Sequence, residues 1–407
     1  MNTTASAIPS TSTTHRVMAI DVLRALTMLL MIFVNDLGTL KDIPTWLEHV
    51  PAAADGMGLA DIVFPGFLFI VGMSVSFAVR QRTQKGESPG QITVHTVWRG
   101  VALLLMGVYL VNGENINVEA TGMAHGWWNV IACTAFILIW NQYPRTWPKL
   151  LTNVLKAIAA LVLLYLAFIY RGGEAEAPVR FGTWWWGILG LIGWAYLVCA
   201  LLFIWCKGNE KILFVGWLIS IALCAANHAH LLPKNHLLHA IISPIGEGAM
   251  TALTIGGALA AQIFWKESNK PGFSFKRLVL IFTAIAVVLL LIGFASRPIW
   301  GISKIRATPS WVLICSAISL LSFLLVYWIT DVQKITNWFK LIKPAGTETL
   351  LCYLIPYYVY AVVSFTHWFL PPTLLTGAIG LLKSAIFALL VVTLTGLLTK
   401  RFLKLRL

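Results

Sequence analysis

The sequence predicts an all-α polytopic membrane protein, and three observations lead to this fold class. Hydrophobic residues make up 58% of the 407 residues, and charged residues make up only 11%. The apolar residues fall into runs of roughly 20, the length of helix that crosses about 30 Å of hydrocarbon. The runs are continuous, whereas the strands of a transmembrane barrel alternate between apolar and polar residues, so a barrel is excluded.

Twelve of these runs are predicted to cross the membrane, and together they form a single domain. The predicted spans are 18–40, 57–79, 93–112, 127–141, 150–170, 183–206, 212–227, 242–265, 276–295, 309–330, 347–367 and 374–399. The fourth and the seventh are the shortest. Residues 1–17 are rich in Ser and Thr and precede the first apolar run, so they are predicted to be a disordered tail. The domain itself is predicted to cover 18–407.

The loops between the spans alternate in charge, which predicts their orientation. One set carries 18 of the 30 Lys and Arg residues, and the other set carries acidic residues and histidines. Lys and Arg favour the cytoplasmic side, so both termini are predicted to be cytoplasmic. The same bias accounts for the net charge of +14 without a nucleic-acid partner. One outer loop, 297–310, breaks the rule with three basic residues and no acid. It is either a chance exception or a cationic patch that binds a substrate oxygen or carboxylate.

A titratable pair flanks the start of the second span. His49 lies in the preceding loop, and Asp61 opens the apolar run 57–77. An imidazole can act as a general base near neutral pH, and a carboxylate on its far nitrogen would orient it. The alternative is an ordinary solvated loop histidine. Pro65 is predicted to kink the span and to free carbonyl groups that open a cavity near Asp61.

Other polar side chains inside the spans are candidates for binding. Asn35 and Asp36 end the first span and must face protein or a wet cavity. Asn35 would either hold a developing oxyanion or join two helices. Glu247 is surrounded by small residues that permit close helix approach or room for a ligand.

The basic residues Arg80 and Arg82, with Arg99 in the third span, suit the phosphates of a nucleotide-like cofactor, although the charge bias explains Arg80 and Arg82 equally well. Glu348 lies toward the same side, near Pro356. The chain has no phosphate-binding glycine loop and no zinc spacing, and no metal site is predicted.

Two stretches, RVMAIDVLRALTMLLMIFVND and DGMGLADIVFPGFLFIVGMSVSFA, with His49 between them, resemble the heparan-alpha-glucosaminide N-acetyltransferase family and its bacterial relatives. The stretches ISKIRATPSWVLICSAISLLSFLLVYWITDV and IKPAGTETLLCYL resemble it more loosely, and the likeness covers about half of the chain. The chain differs from the family in three places. The segment VPAAAD follows the histidine, Ala25 stands where the family has glycine, and the pair of spans within 183–227 is additional.

The resemblance implies a membrane enzyme that takes acetyl-CoA from the cytoplasmic side and acetylates an amino sugar on the other side. It maps the catalytic histidine onto His49 and an assisting asparagine onto Asn35. We therefore expect a bacterial inner-membrane N-acetyltransferase for a glucosamine-type or cell-wall sugar, embedded in the lipid bilayer, with a homodimer as a candidate form. Asp61 would orient His49. The expected substrate contacts are Asp36, Glu247, Lys304 and Arg306, and the expected donor contacts are Arg80, Arg82 and Arg99. The alternative is an amino-sugar permease without acyl-transfer chemistry.

Overall fold

The computed structural model describes residues 17–174, 178–232, 243–367, 369–401 and 403–407, and regular structure in these ranges is helical. The helices used below are α1 (Met18–Asp36), α2 (Ala60–Gln84), α3 (Pro89–Glu114), α4 (Val118–Thr121), α5 (His125–Trp140), α6 (Lys149–Ile169), α7 (Ile188–Trp205), α8 (Glu210–His228), α9 (Ala249–Ser268), α10 (Phe275–Trp300), α11 (Pro309–Tyr327), α12 (Phe339–Thr347), α13 (Thr349–Thr366) and α14 (Gly377–Arg401). Residues 1–16 of the predicted tail lie outside the described residues.

The twelve long helices lie at the positions of the twelve predicted spans. Within the described residues, ten of them are long and apolar enough to cross a membrane. The other two are α5, with 16 residues, and α9, whose apolar run is diluted by glycine, threonine and Gln262. The all-α polytopic class is therefore confirmed, while the number of crossings remains a prediction. Helix α8, predicted to be short, reaches 19 residues.

Successive long helices run antiparallel, so the bundle has two ends. We call the end where α1 begins the proximal end and the opposite one the distal end. At the proximal end, Asp331 accepts hydrogen bonds from the backbone N–H groups of Met18 (3.0 Å) and Ala19 (2.8 Å) and so caps α1. At the distal end, Arg297 of α10 pairs with Asp55 of the loop between α1 and α2 (2.8 Å).

Close packing of α2 against α9 depends on glycine. A Cβ on Gly72 would overlap the carbonyl group of Thr254, and a Cβ on Gly257 would overlap that of Phe69. Small residues allow two helix backbones to approach in this way. The small residues of the eighth predicted span therefore serve close helix approach. Helices α6, α8 and α10 are peripheral, with most of their apolar surface exposed. The buried centre lies around α1, α2 and α11, and the candidate site is built on these helices.

Candidate active site

His49 and Asp61 form a hydrogen-bonded pair at the distal end. The His49 Nδ1 lies 2.7 Å from Asp61 Oδ1, and the Asp61 Oδ2 accepts hydrogen bonds from the backbone N–H groups of Val50 (3.1 Å) and Gly58 (2.9 Å). The Asp61 side chain is 1% exposed and that of His49 is 40% exposed. An ionised carboxylate only accepts hydrogen bonds, so we assign the ring proton to Nδ1. Nε2 then carries a lone pair on the partly exposed ring.

Pro65 frees a backbone carbonyl group within α2. Proline has no N–H to donate, so the backbone carbonyl of Asp61 loses its helical partner. The indole Nε1 of Trp311, in α11, donates to this carbonyl instead, at 3.0 Å. Trp311 and Cys315 are both fully buried beside it. The freed carbonyl therefore accepts from the indole and ties α2 to α11.

Gly58 allows the His49 loop to close onto Asp61. A Cβ at this position would overlap the carbonyl oxygen of Glu48, the residue before His49. We expect Gly58→Ala to push the loop away from Asp61 and to cost about 1–3 kcal/mol of stability, as overpacking usually does. Thermal unfolding in detergent checks this. Gly38→Ala is the matched control, because nothing lies within 4 Å of its added Cβ. Equal melting temperatures for the two variants would contradict the prediction.

The basic outer loop docks directly onto His49. Lys304 Nζ lies 3.2 Å from His49 Nε2 and 3.3 Å from Nδ1. The loop is held by Asp55, which accepts hydrogen bonds from Arg297 Nε (2.8 Å) and from the backbone N–H of Ile302 (2.6 Å). These two donors hold the pKa of Asp55 below its usual value. Burial lowers the pKa of Lys304, and the Asp61 carboxylate opposes this shift. The basic outer loop 297–310 thus places the ammonium group of Lys304 at the His49 ring.

Arg306 and Glu247 are the other two residues predicted to contact substrate. The exposed side chain of Arg306 reaches toward Gly301, and its backbone carbonyl lies 2.9 Å from His228 Nε2. Glu247 immediately precedes Gly248, whose backbone packs on Ser220 in the middle of α8.

Asp36 is held by side chains of two other helices, and its role as a substrate contact stays a prediction. Its Oδ1 accepts a hydrogen bond from Tyr360 (2.9 Å), and its Oδ2 accepts from Lys383 (2.7 Å) and Ser384 (2.6 Å). Asp36 is buried, and these partners tie α1 to α13 and α14. Sequence reasoning missed Lys383. The available signal was a lysine within the apolar run of α14 opposite an acid at the end of α1.

A cavity of about 670 Å³ opens between helices at the proximal end. Its wall contains basic side chains toward the proximal end and apolar ones farther in. The basic group consists of Arg24, Arg82, Lys85, His95, Arg99 and Arg406, and the apolar group includes Met28, Met31, Phe67, Leu103 and Ile192. Such a wall suits an anionic molecule with a long, less polar arm. His95 and Arg99 are four residues apart on α3, a spacing that could have identified them as a pair.

Of the three arginines predicted to contact a donor, Arg82 and Arg99 line this cavity and Arg80 does not. The Arg80 guanidinium stacks 3.8 Å above the ring of Trp265 and donates a hydrogen bond to Gln262. Residues two apart on a helix point about 200° apart, so Arg80 and Arg82 point to different sides of α2. The donor role of Arg80 stays a prediction.

The cavity and the His49–Asp61 pair share helices α1 and α2. Arg24, Met28 and Met31 line the cavity at helical spacing, and Asn35 is the next residue on that face of α1. Asn35 is exposed, whereas Met31 and Phe67 close the inner end of the cavity. Phe67 follows Asp61 by six residues, or roughly 9 Å along the helix. A thin apolar layer therefore separates the cavity from the distal site.

Part of the chain is similar to known proteins. The family model described as "Heparan-alpha-glucosaminide N-acetyltransferase, catalytic" matches residues 16–175. The heparan-alpha-glucosaminide N-acetyltransferase of Mus musculus is 34% identical over 101 residues, which are 25% of this chain and 15% of that protein. The Homo sapiens protein of the same name is 32% identical over 97 residues, which are 24% of this chain and 14% of that protein. Residues 16–175, which include the His49–Asp61 pair and three arginines of the cavity wall, are therefore similar to the heparan-alpha-glucosaminide N-acetyltransferase family.

Proposed function

We propose that the protein transfers the acetyl group of acetyl-CoA across a membrane to the amine of an amino sugar, of glucosamine type or derived from a cell wall. One observation carries this proposal. An imidazole held by a buried carboxylate stands at the distal end of the two helices whose proximal halves line a basic cavity. The family relationship over residues 16–175 supports the class of reaction.

The proximal cavity is the proposed entry for the donor. Arg82, Lys85 and Arg99 would bind the phosphates of CoA, since guanidinium and ammonium groups are the usual phosphate ligands in proteins. The apolar inner wall would cover the pantetheine arm, and the thioester at its end would pass between Met31 and Phe67 to reach His49. The excess of Lys and Arg at the proximal end supports a cytoplasmic location of this end. We infer a multi-pass protein of the bacterial inner membrane.

At the distal end, His49 Nε2 is the proposed base. It takes a proton from the sugar amine while the amine nitrogen attacks the thioester carbonyl carbon. The new C–N bond replaces the C–S bond, and the departing thiolate takes the proton from the imidazolium. Asp61 stabilises the imidazolium through Nδ1–H, and Asn35 donates to the carbonyl oxygen as negative charge develops on it. In a two-step version Nε2 carries the acetyl group itself, and this version needs the same lone pair.

Lys304 has a proposed role in the resting site. Its ammonium group, 3.2 Å from Nε2, occupies the position that the acceptor amine is proposed to take. An arriving sugar would displace it, and the ammonium would then contact the hydroxyl oxygens of the acceptor.

Compartmented transfer tests the proposal. Purified protein is reconstituted in vesicles, with glucosamine on one side and acetyl-labelled acetyl-CoA on the other. We expect labelled N-acetylglucosamine when acetyl-CoA is supplied at the proximal end, and none when both reactants are confined to the distal side. Accumulation of unmodified glucosamine without CoA would instead identify a permease. Absence of product in every arrangement would also contradict the proposal.

A further inference from the structure

The segment Leu403–Leu407, which we call the strap, crosses the proximal end of the bundle in an extended conformation. The Gln142 N–H donates to the Lys404 carbonyl (2.8 Å), the Arg406 N–H donates to the Trp140 carbonyl (3.0 Å), and the Lys404 N–H donates to Asn141 Oδ1 (3.0 Å). Asn141 and Leu405 form an antiparallel bridge. The strap is thus fixed to the chain just after α5.

The side chains of the strap alternate as they do in a β-strand. Leu405 and Leu407 are partly buried and pack against the core, whereas Lys404 and Arg406 are exposed. Leu405, Arg406 and Leu407 also line the proximal cavity. One wall of this cavity is therefore supplied by the strap, and not by the helices.

Glu348, between α12 and α13, is an acidic residue on the cavity side of the strap. It lines the same cavity and interacts electrostatically with Lys404 and Arg406, whose charges lower its pKa, while burial raises it by more. Elsewhere in the wall, Arg82 pairs with Glu87 (2.7 Å), and the Arg99 guanidinium lies 5.2 Å from the centre of the Tyr196 ring. Arg406 is thus a cation on extended chain that lines the same cavity as a carboxylate.

We propose that the strap is a closing element of the donor site, in which Arg406 exchanges Glu348 for a phosphate of the bound donor. A guanidinium forms bidentate, charge-assisted hydrogen bonds with phosphate oxygens. The carboxylate of Glu348 therefore competes with the donor for Arg406. This inference rests on the proposed function, because it takes the proximal cavity as the site of CoA.

The exchange predicts that substitutions of Arg406 and Glu348 change the Kd for coenzyme A in opposite directions. Calorimetric titration of the purified protein with coenzyme A measures both changes. Arg406→Gln is expected to raise the Kd about tenfold, because it removes a charge-assisted contact. Glu348→Gln is expected to lower the Kd about threefold, because it removes the competitor. In the Arg406→Gln background, Glu348→Gln should have little effect. Lys400→Gln is the matched control, since it removes one positive charge from the end of α14 outside the cavity wall.

Amide hydrogen exchange provides a second measurement. If the strap had only a structural role, coenzyme A would not change the exchange rates of its amide groups. Coenzyme A should slow exchange at the N–H groups of Gln142 and Arg406, which fix the strap. An Arg406→Gln Kd within twofold of wild type, or an equal loss in Lys400→Gln, would overturn the inference while leaving the proposed function intact. Failure of the wild-type protein to bind coenzyme A would overturn both.

Discussion

Replacing His49 with alanine is expected to lower acetyl transfer roughly 10²–10⁴-fold, the usual contribution of a positioned acid–base group. The variant loses the only nitrogen proposed to accept the proton of the amine. The proximal cavity lies on the other side of the layer formed by Met31 and Phe67, so coenzyme A binding should not change. Transfer assays and calorimetry on the same preparation measure the two effects separately.

Two further variants sharpen this test. Asp61→Asn should also lower transfer, because the amide nitrogen of Asn can donate to Nδ1 and stabilise the tautomer in which Nε2 has no lone pair. His367→Asn replaces another exposed distal histidine, whose backbone φ of 50° suits asparagine, and it should leave transfer unchanged. Transfer by His49→Ala within tenfold of wild type would exclude the proposed base.

Replacing Lys383 with methionine is expected to destabilise the fold by about 3–5 kcal/mol, the usual cost of breaking a buried ion pair. The Asp36 and Lys383 side chains are 4% and 19% exposed, so solvent screens the pair only weakly. The substitution leaves the Asp36 carboxylate buried with Tyr360 and Ser384 as its remaining donors. Thermal unfolding in detergent measures the loss.

The double variant distinguishes a buried charge from lost packing. Asp36→Asn combined with Lys383→Met removes both charges, and it should be more stable than Lys383→Met alone. Lys400→Met is the control for loss of a lysine from the exposed end of the same helix. Equal melting temperatures for Lys383→Met and Lys400→Met would contradict the prediction.

The sequence was sufficient for the fold class and for one pair of the candidate site. Long apolar runs predict helices because a bilayer requires every backbone polar group to be satisfied within the helix. His49 and Asp61 are twelve residues apart and separated by a loop with Gly58, so a local pairing was accessible from the chain alone. The adjacent Asn35 and Asp36 show the limit of this reasoning. Both end the same apolar run, yet one is exposed and the other is buried against Lys383.

What the sequence by itself determined is the set of helices, their alternating direction and the local His49–Asp61 pair, because these depend on hydrophobic length, loop charge and short spacing. Only the tertiary structure decided which polar groups meet across the bundle. Lys304 contacts His49, which is 255 residues away in the chain, and Lys383 contacts Asp36, which is 347 residues away. The direction in which a helix packs determines which of its side chains meet a partner, and this direction depends on neighbours that are distant in the chain. For that reason Arg82 lines a cavity while Arg80, two residues before it, stacks on Trp265.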